Sequence, residues 1–371
     1  MQKHGFIVIN RIKPCFCIAT VQAENIALCF RPAMWYSVKE FSTVYSAGIA
    51  EKKMPETGIL DEERYVMGKK LLFIVNPKAG MGKIRQSILG ITDIFTRHGY
   101  EVLLHPTQSA GDAIEKTIEY ADQMDIIVCS GGDGTLDEVV TGLMLKESKT
   151  PIGYIPAGST NDFANSLFMP KDPLLLAENI MQENIYRCDV GRFNNKTFAY
   201  VAAFGLFTDV SYNTPQDMKN ILGHLAYVRE GARKLFDIRS YPLRVRADDI
   251  EIEGDFIYGM VTNSRSVGGF KTLTHNVDMD DGLFEVTLIE MPKNPLELQQ
   301  IVTALMMAED NIDLIHSFKT GRITFEAEEL IPWTLDGEYG GSYRLAEVEN
   351  RHQALSLYLT SRHRKTPGQE E

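Results

Sequence analysis

No stretch of the 371-residue chain approaches the roughly 18 consecutive apolar residues that a membrane-spanning helix needs. Cysteine is scarce: Cys15, Cys17, Cys29, Cys129 and Cys188 show neither zinc-ligand spacing nor a disulfide framework, which points to a reduced, cytosolic compartment. The eight histidines include no H-E-x-x-H pair. Positive charge is in deficit, with 38 Lys and Arg against 50 Asp and Glu, a formal net charge of −12. A general nucleic-acid binder would need a basic face, so that class is excluded. Adhesion to anionic lipid would require a local basic patch. The P-loop pattern G-x-x-x-x-G-K-[ST] is missing, and there are no internal repeats. What remains, 44% hydrophobic and 24% charged residues, is ordinary for a globular protein of about two domains.

The ends differ from the middle. Residues 1–67 lack a clear amphipathic period and hold three of the five cysteines. Residues 15–21, after Arg11 and Lys13, faintly resemble a secretory signal, but the apolar core is short and the preceding region long. A second reading fits better: Met67 opens Met67-Gly68-Lys69-Lys70-Leu71-Leu72, the expected start of an enzyme, and 1–67 is a non-native or disordered leader. The polar tail 362–371, with Pro and Gly, is expected to be disordered.

From Lys69 strand and helix patterns alternate. Strands are expected at 71–75, 100–104, 125–130 and 152–155, and helices at 84–98, 111–124 and from Thr135 onward. Repeated βα units imply a parallel sheet covered by helices, with ligands at the carboxyl ends of the strands. The most informative junction is Gly131-Gly132-Asp133-Gly134-Thr135, between a doubly buried strand and a helix. Its glycines allow close backbone approach, and a helix N-terminus offers N–H groups to a phosphate. Asp133 would repel a bare phosphate, so it implies a bridging cation or a reacting centre. Thr135 and Glu138 are spaced as a T-x-x-E capping box.

Around Arg187 the character changes to strand-like runs at 198–203, 243–247, 256–262, 284–289 and 322–326, with helical inserts near 219–236 and 295–307. The expected organisation is a nucleotide-binding α/β domain over 68–190, a mainly antiparallel β domain over 191–345 and a C-terminal strand over 346–361. Two further junctions follow strands: Asn76-Pro77-Lys78-Ala79-Gly80-Met81-Gly82-Lys83, and Pro156-Ala157-Gly158-Ser159-Thr160-Asn161-Asp162-Phe163, where Ser159 and Asp162 have S-x-x-D cap spacing. Leu335-Asp336-Gly337-Glu338 carries the Asp-Gly signal of a type I′ hairpin; spacing alone favours a plain turn there.

Together and in this order, these stretches resemble the diacylglycerol kinase catalytic-domain family, which includes bacterial soluble lipid kinases and sphingosine kinases. The resemblance runs from about Lys69 to Leu359 and includes Ala203-Phe204-Gly205, Asn263-Ser264-Arg265-Ser266-Val267-Gly268-Gly269 and Asp280-Asp281-Gly282-Leu283. The Gly131 junction is shared with NAD kinases and phosphofructokinases; the Pro156 junction narrows it. The resemblance implies a three-layer parallel-sheet nucleotide domain of the NAD kinase/phosphofructokinase kind, followed by a β-sandwich. It implies ATP and Mg²⁺ as cofactors and a homodimer in bacterial relatives. Asn76, Pro77, Lys78, Ala79, Gly80 and Thr107 would line the nucleotide site. Gly131, Gly132, Asp133, Gly134 and Thr135 would carry the phosphates, joined by Ser159, Thr160 and Asn161. Ser159 stands where many relatives have threonine, and Asp137 where Asn is common. Glu338 matches the family's general base, so the Asp336-Gly337 turn would also aim a carboxylate. The loop of Asp278, Asp281 and Leu283 resembles a structural Mg²⁺ site of some bacterial members.

The implied activity is ATP-dependent phosphorylation of a lipid hydroxyl, most simply diacylglycerol. An NAD kinase-like enzyme with a soluble substrate, and a non-catalytic nucleotide or lipid module, are the alternatives. The substrate would be reached by peripheral contact with the inner face of the membrane from the cytoplasm. The insert 221–236, apolar on one face with Arg229, Arg233 and Lys234 beside it, could either settle on anionic lipid or pack into a core.

Overall fold

The apolar run Leu71 to Val75 is wholly buried, as a parallel strand covered on both faces must be. In the computed structural model this run belongs to β5. The described residues are 68–206, 208, 238–264, 266–267, 270–271, 277–307 and 312–359, with the backbone of four short strands before them. Those four, β1 (Phe6–Val8), β2 (Ile18–Gln22), β3 (Asn25–Phe30) and β4 (Met34–Ser37), form an antiparallel sheet within a separate unit, Met1–Val66. The 219–236 insert and the 362–371 tail lie outside the described residues.

The main unit begins with β5 (Lys69–Val75), β6 (Tyr100–Pro106), β7 (Ile126–Gly131) and β8 (Ile152–Pro156), all parallel, in the order β6-β5-β7-β8. Five helices accompany them: α1 (Ile88–Arg97), α2 (Asp112–Tyr120), α3 (Asp133–Lys146), α4 (Asp162–Ser166) and α5 (Pro173–Ile180). Alternate strand residues face opposite ways. Leu72, Ile74, Ile127 and Cys129 pack with Leu136, Val139, Val140 and Leu143 of α3. Leu71, Phe73 and Val128 pack with Ile91, Ile94 and Phe95 of α1 and with Ala177 and Ile180 of α5. Helix α5 starts where its sequence dictates: the Asp172 carboxylate accepts the Leu174 and Leu175 N–H groups, and Pro173 occupies the first turn. The stretch expected as one helix over 84–98 divides, with a tight 3₁₀ segment, Ala79–Gln86, before α1.

Next come β9 (Ile185–Phe193), β10 (Lys196–Phe198), β11 (Val201–Gly205), β12 (Tyr241–Ala247) and β13 (Ile250–Thr262). A two-stranded ribbon, β14 (Ser266–Val267) with β15 (Phe270–Lys271), precedes β16 (Phe284–Glu290). The chain then forms α6 (Pro295–Met307), β17 (Ile315–Thr320), β18 (Arg322–Leu335) and β19 (Glu338–Tyr358). Among these strands all pairings are antiparallel. The long strands serve two partners each: β13 pairs β12 with its first half and β11 and β16 with its second, and β18 pairs both β11 and β12. Turning a strand from one partner to the next closes sheet upon sheet around a core. That core is aromatic: Trp333 lies 4.8 Å from both Phe193 and Phe204, ring centre to ring centre, and 5.0 Å from Phe325. Truncating Trp333 to Ala would cost about 4 kcal/mol.

β19 joins the two halves. Near its end Leu357 pairs with Ile152 of β8 in parallel, while β18 takes its first half and β9 its second, as far as Tyr358. It is one continuous strand through residue 345, longer than the C-terminal strand expected over 346–361. The run expected as one strand over 198–203 is broken, because the N–H groups of Ala199, Tyr200 and Val201 turn to the Asp336 carboxylate.

Candidate active site

Four loops meet at the carboxyl ends of β5, β6, β7 and β8, stitched by backbone hydrogen bonds. Asn76 N–H donates to Ser130 O (2.8 Å), Thr107 N–H to Val75 O (2.8 Å) and Ala157 N–H to Gly131 O (2.7 Å). Asn76 Nδ2 donates to Thr135 Oγ1 at 3.2 Å, and its Oδ1 accepts the Lys78 N–H at 3.0 Å. Two glycines permit this closeness. A Cβ on Gly80, whose φ is +53°, would lie 2.2 Å from Ala157 O, and one on Gly158 would lie 2.6 Å from the Gly132 Cα. The junctions at 76–80, 131–135 and 156–161 therefore form one surface of glycines, amides and hydroxyls, suited to a polyphosphate.

Both cap expectations are corrected. Helix α3 starts at Asp133 with Gly132 as its N-cap, so Thr135 is already inside the helix. Glu138 reaches instead to the Gly111 and Ala113 N–H groups (2.8 and 3.0 Å), serving the start of α2. Helix α4 has Asn161, in the left-handed region at φ +54°, as its N-cap, and Ser159 stands exposed before it. Asn161 uses its amide on Gly158, accepting its N–H at 2.9 Å and donating to its carbonyl at 3.0 Å. The cap of α4 comes from Asp133, whose oxygens accept the Asp162 N–H (3.1 Å) and the Phe163 N–H (3.4 Å). A local cap lost to a remote carboxylate because the adjoining glycines bring the two loops into contact. Burial raises the Asp133 carboxyl above its usual range, opposed by these N–H donors.

The base candidate approaches from the other half. Asp336 (φ +50°) and Gly337 (φ +87°) both adopt the positive φ of a type I′ turn between β18 and β19. Glu338, exposed, follows at once. Its Oε1 would lie 3.4 Å from a Cβ placed on Gly134, so the carboxylate sits over the Gly131–Thr135 junction. Asp336 fixes the turn. Its carboxylate is buried and accepts the N–H groups of Ala199, Tyr200 (3.0 Å) and Val201 (2.9 Å), while its own N–H donates to Val201 O (2.8 Å). The Asp137 carboxyl, on α3, neighbours that carboxylate, and the two groups interact. The pairing of Asp137 with Asp336 and the anchoring role of Asp336 escaped a reading based on spacing, although two adjacent acids, Asp137 and Glu138, one turn beyond Asp133 are a visible signal.

Asp278, Asp281 and Leu283 gather elsewhere, around Asp189. The buried Asp189 carboxylate accepts the Gly282 N–H (2.7 Å), the Gln353 N–H (2.6 Å) and Asn350 Nδ2 (3.2 Å). Asp281 accepts the Leu283 N–H (3.0 Å) and the Lys319 ammonium (3.2 Å). The Asp280 carboxyl is raised by burial, then by the charges of Asp278, Asp189 and Asp281. So acidic a loop, with backbone carbonyls, suits an oxygen-seeking cation chemically. Yet Lys319 already neutralises Asp281, and among the described residues no three His, Cys, Asp or Glu side chains converge on a metal position. No catalytic step is derived through this loop.

Comparison with known proteins fits this geometry. The family model for the diacylglycerol kinase catalytic domain matches residues 70–193, and that for the YegS C-terminal NAD kinase beta sandwich-like domain matches residues 202–358. A diacylglycerol kinase of Bacillus subtilis (strain 168) is 33% identical over 276 residues, 74% of this chain and 91% of the relative. One from Staphylococcus haemolyticus (strain JCSC1435) is 32% identical over 278 residues, 74% of this chain and 84% of the relative. A crystal structure from Bacillus anthracis str. Sterne, provisionally assigned as a diacylglycerol kinase, superposes with a TM-score of 0.67 at 26% identity, covering 80% of this chain and 98% of the other. Among the described residues no helix is long and apolar enough to cross a membrane.

Proposed function

Because the chain belongs to the diacylglycerol kinase family, we propose that it transfers the γ-phosphoryl group of ATP to the free hydroxyl of diacylglycerol or a related lipid alcohol, with Glu338 as general base. The observation that carries this reading is Glu338 standing over Gly134, a carboxylate from the β-rich half facing the phosphate junction of the parallel half.

The glycine-lined loops bind and orient the polyphosphate through backbone N–H groups. Glu338 accepts the lipid hydroxyl proton as the new O–P bond forms and the bond to the β-phosphate oxygen breaks, leaving ADP and a phosphorylated lipid such as phosphatidic acid. Asp133 is the carboxylate at the junction that would hold a divalent cation bound with ATP, which would supply charge neutralisation at the phosphates. In the same place Asp133 ties α4 to the junction, so that Ser159, Thr160 and Asn161 hold their position. The lipid would be met by peripheral contact at the inner face of the membrane.

The test is transfer from labelled ATP to a panel of diacylglycerol, sphingoid base, phosphatidylglycerol and polyprenol in mixed vesicles, with NAD as competing acceptor. Labelled phosphatidic acid is the expected product. Labelling of NAD alone would replace this reading with a soluble-substrate kinase.

A further inference from the structure

Asp137 is the acid of the site for which the phosphoryl-transfer chemistry so far has no use. It lies one helical turn beyond Asp133 on α3, beside the Asp336 turn. Its Oδ1 is completely buried and, among the described residues, has no hydrogen-bond partner. Its other contact is the Asp336 carboxylate, itself buried. Two carboxylates in contact away from water cannot both be ionised. The environment decides which one keeps the proton. Asp336 has three backbone N–H donors to hold its charge, whereas the Asp137 Oδ1 has no donor among the described residues.

The neighbouring charges push the same way. Asp137 feels the carboxylates of Asp336, Glu338 and Glu138, of which Glu138 is committed to the Gly111 and Ala113 N–H groups. On α2, which packs against α3, Asp112 is turned to His105 at 3.1 Å. On β10, Lys196 places its ammonium on Gly340 O at 2.7 Å. The Tyr200 hydroxyl contacts the Asp336 carbonyl at 3.5 Å, not its carboxylate. Burial first, then Asp336, raises the Asp137 carboxyl well above the ordinary carboxylate range.

We propose that Asp137 is a positioning residue for Glu338: as a carboxylic acid it keeps its proton and donates a hydrogen bond to Asp336, tying the phosphate-junction helix α3 to the hairpin that carries the base. The link spans the two halves of the site at one hydrogen bond from the catalytic turn. Asparagine, with the same shape, would donate an N–H in its place at any pH. Aspartate makes the link conditional on a proton. This inference rests on Glu338 as the base, but its proton-sharing half does not.

The sign of the pH effect follows. A carboxyl whose folded pKa is raised keeps its proton when the unfolded chain has lost it. Its contribution is complete below the unfolded value, about 3.9, and is lost as pH rises through the folded value. Within that window the folding constant falls up to about tenfold per pH unit.

The experiment compares the wild-type chain with Asp137→Asn and Asp137→Leu. Denaturant unfolding from pH 5 to pH 8 should show Asp137→Asn gaining on the wild type as pH rises. Kinetics with ATP and diacylglycerol vesicles should show Asp137→Leu losing kcat about tenfold or more with the KM for ATP within about twofold, and Asp137→Asn restoring kcat. A constant stability difference between Asp137→Asn and the wild type across the range would overturn proton sharing, and that arm needs no catalysis. A kcat for folded Asp137→Leu within about twofold of the wild type would overturn the positioning role. Should Asp137→Leu fail to fold, Asp137→Ala, which likewise lacks a donor, is read in the same way. Failure of Glu338 as base is distinguishable, since it would show as undiminished turnover in Glu338→Gln while the stability arm held.

Discussion

The two halves of this molecule build their share of the site from opposite materials. The parallel half offers backbone: the 76–80, 131–135 and 156–161 loops present amides, and their glycines admit contacts that a single Cβ would forbid. The antiparallel half offers carboxylates, and its two anchors, Asp336 and Asp189, are held by backbone donors. Asp336 takes three N–H groups and aims Glu338; Asp189 takes two and an Asn350 amide, and fixes the 278–283 loop. Asp133 is the exception, an acid of the first half held by backbone N–H groups as the cap of α4. A loop of amides tolerates little added volume. A carboxylate anchor tolerates little loss of charge.

That contrast can be broken most severely at Asp336. Replacing it by Ala strands the Ala199, Tyr200 and Val201 N–H groups. Each buried orphan costs about 1–3 kcal/mol, so a destabilisation of about 5 kcal/mol is expected in urea unfolding. A loss under about 1 kcal/mol would show that the anchor is dispensable. On the other side, Gly158→Ala should raise the KM for ATP about tenfold, about 1.4 kcal/mol, because the 156–161 loop must withdraw from Gly132. Its unfolding midpoint should move much less than that of Asp336→Ala. Unchanged nucleotide kinetics would mean that the close approach is not needed for binding.

A smaller effect concerns Glu285, fully buried on β16, with Lys319 at 3.1 Å. Burial pushes its carboxyl up to about 7, against the opposing Lys319. The folded pKa is raised, so this contribution to stability is lost as pH rises from the unfolded value toward 7. Glu285→Gln should therefore gain on the wild type between about pH 5 and pH 7, by up to about tenfold in folding constant per pH unit. Parallel stability curves would show that Glu285 titrates normally.

The same contrast explains what could be read from sequence. The parallel strands are continuous apolar runs ending in glycine clusters, so β5, β7 and β8 and the loops after them were legible from pattern alone. Glu338 was legible only through resemblance, since Asp-Gly spacing says hairpin and nothing more. The anchors were not legible. Whether Asp336 is a turn residue or an N–H acceptor depends on β11 lying beside β18, a long-range pairing with no local signature. The caps of α3 and α4 failed for a similar reason, because Asp133 and Glu138 found N–H groups on neighbouring loops rather than on their own helices. The length of β19 was masked by its bulges, which interrupt the alternation that marks a strand.

The account turns on Glu338 as the proton acceptor for a lipid hydroxyl, and Glu338→Gln tests it most directly. ATP binding and labelled transfer to diacylglycerol should be measured on the same preparation. The expected result is a nucleotide Kd within about twofold of the wild type and transfer reduced about 10³-fold, the scale of a lost general base. Transfer at the wild-type rate would contradict the assignment.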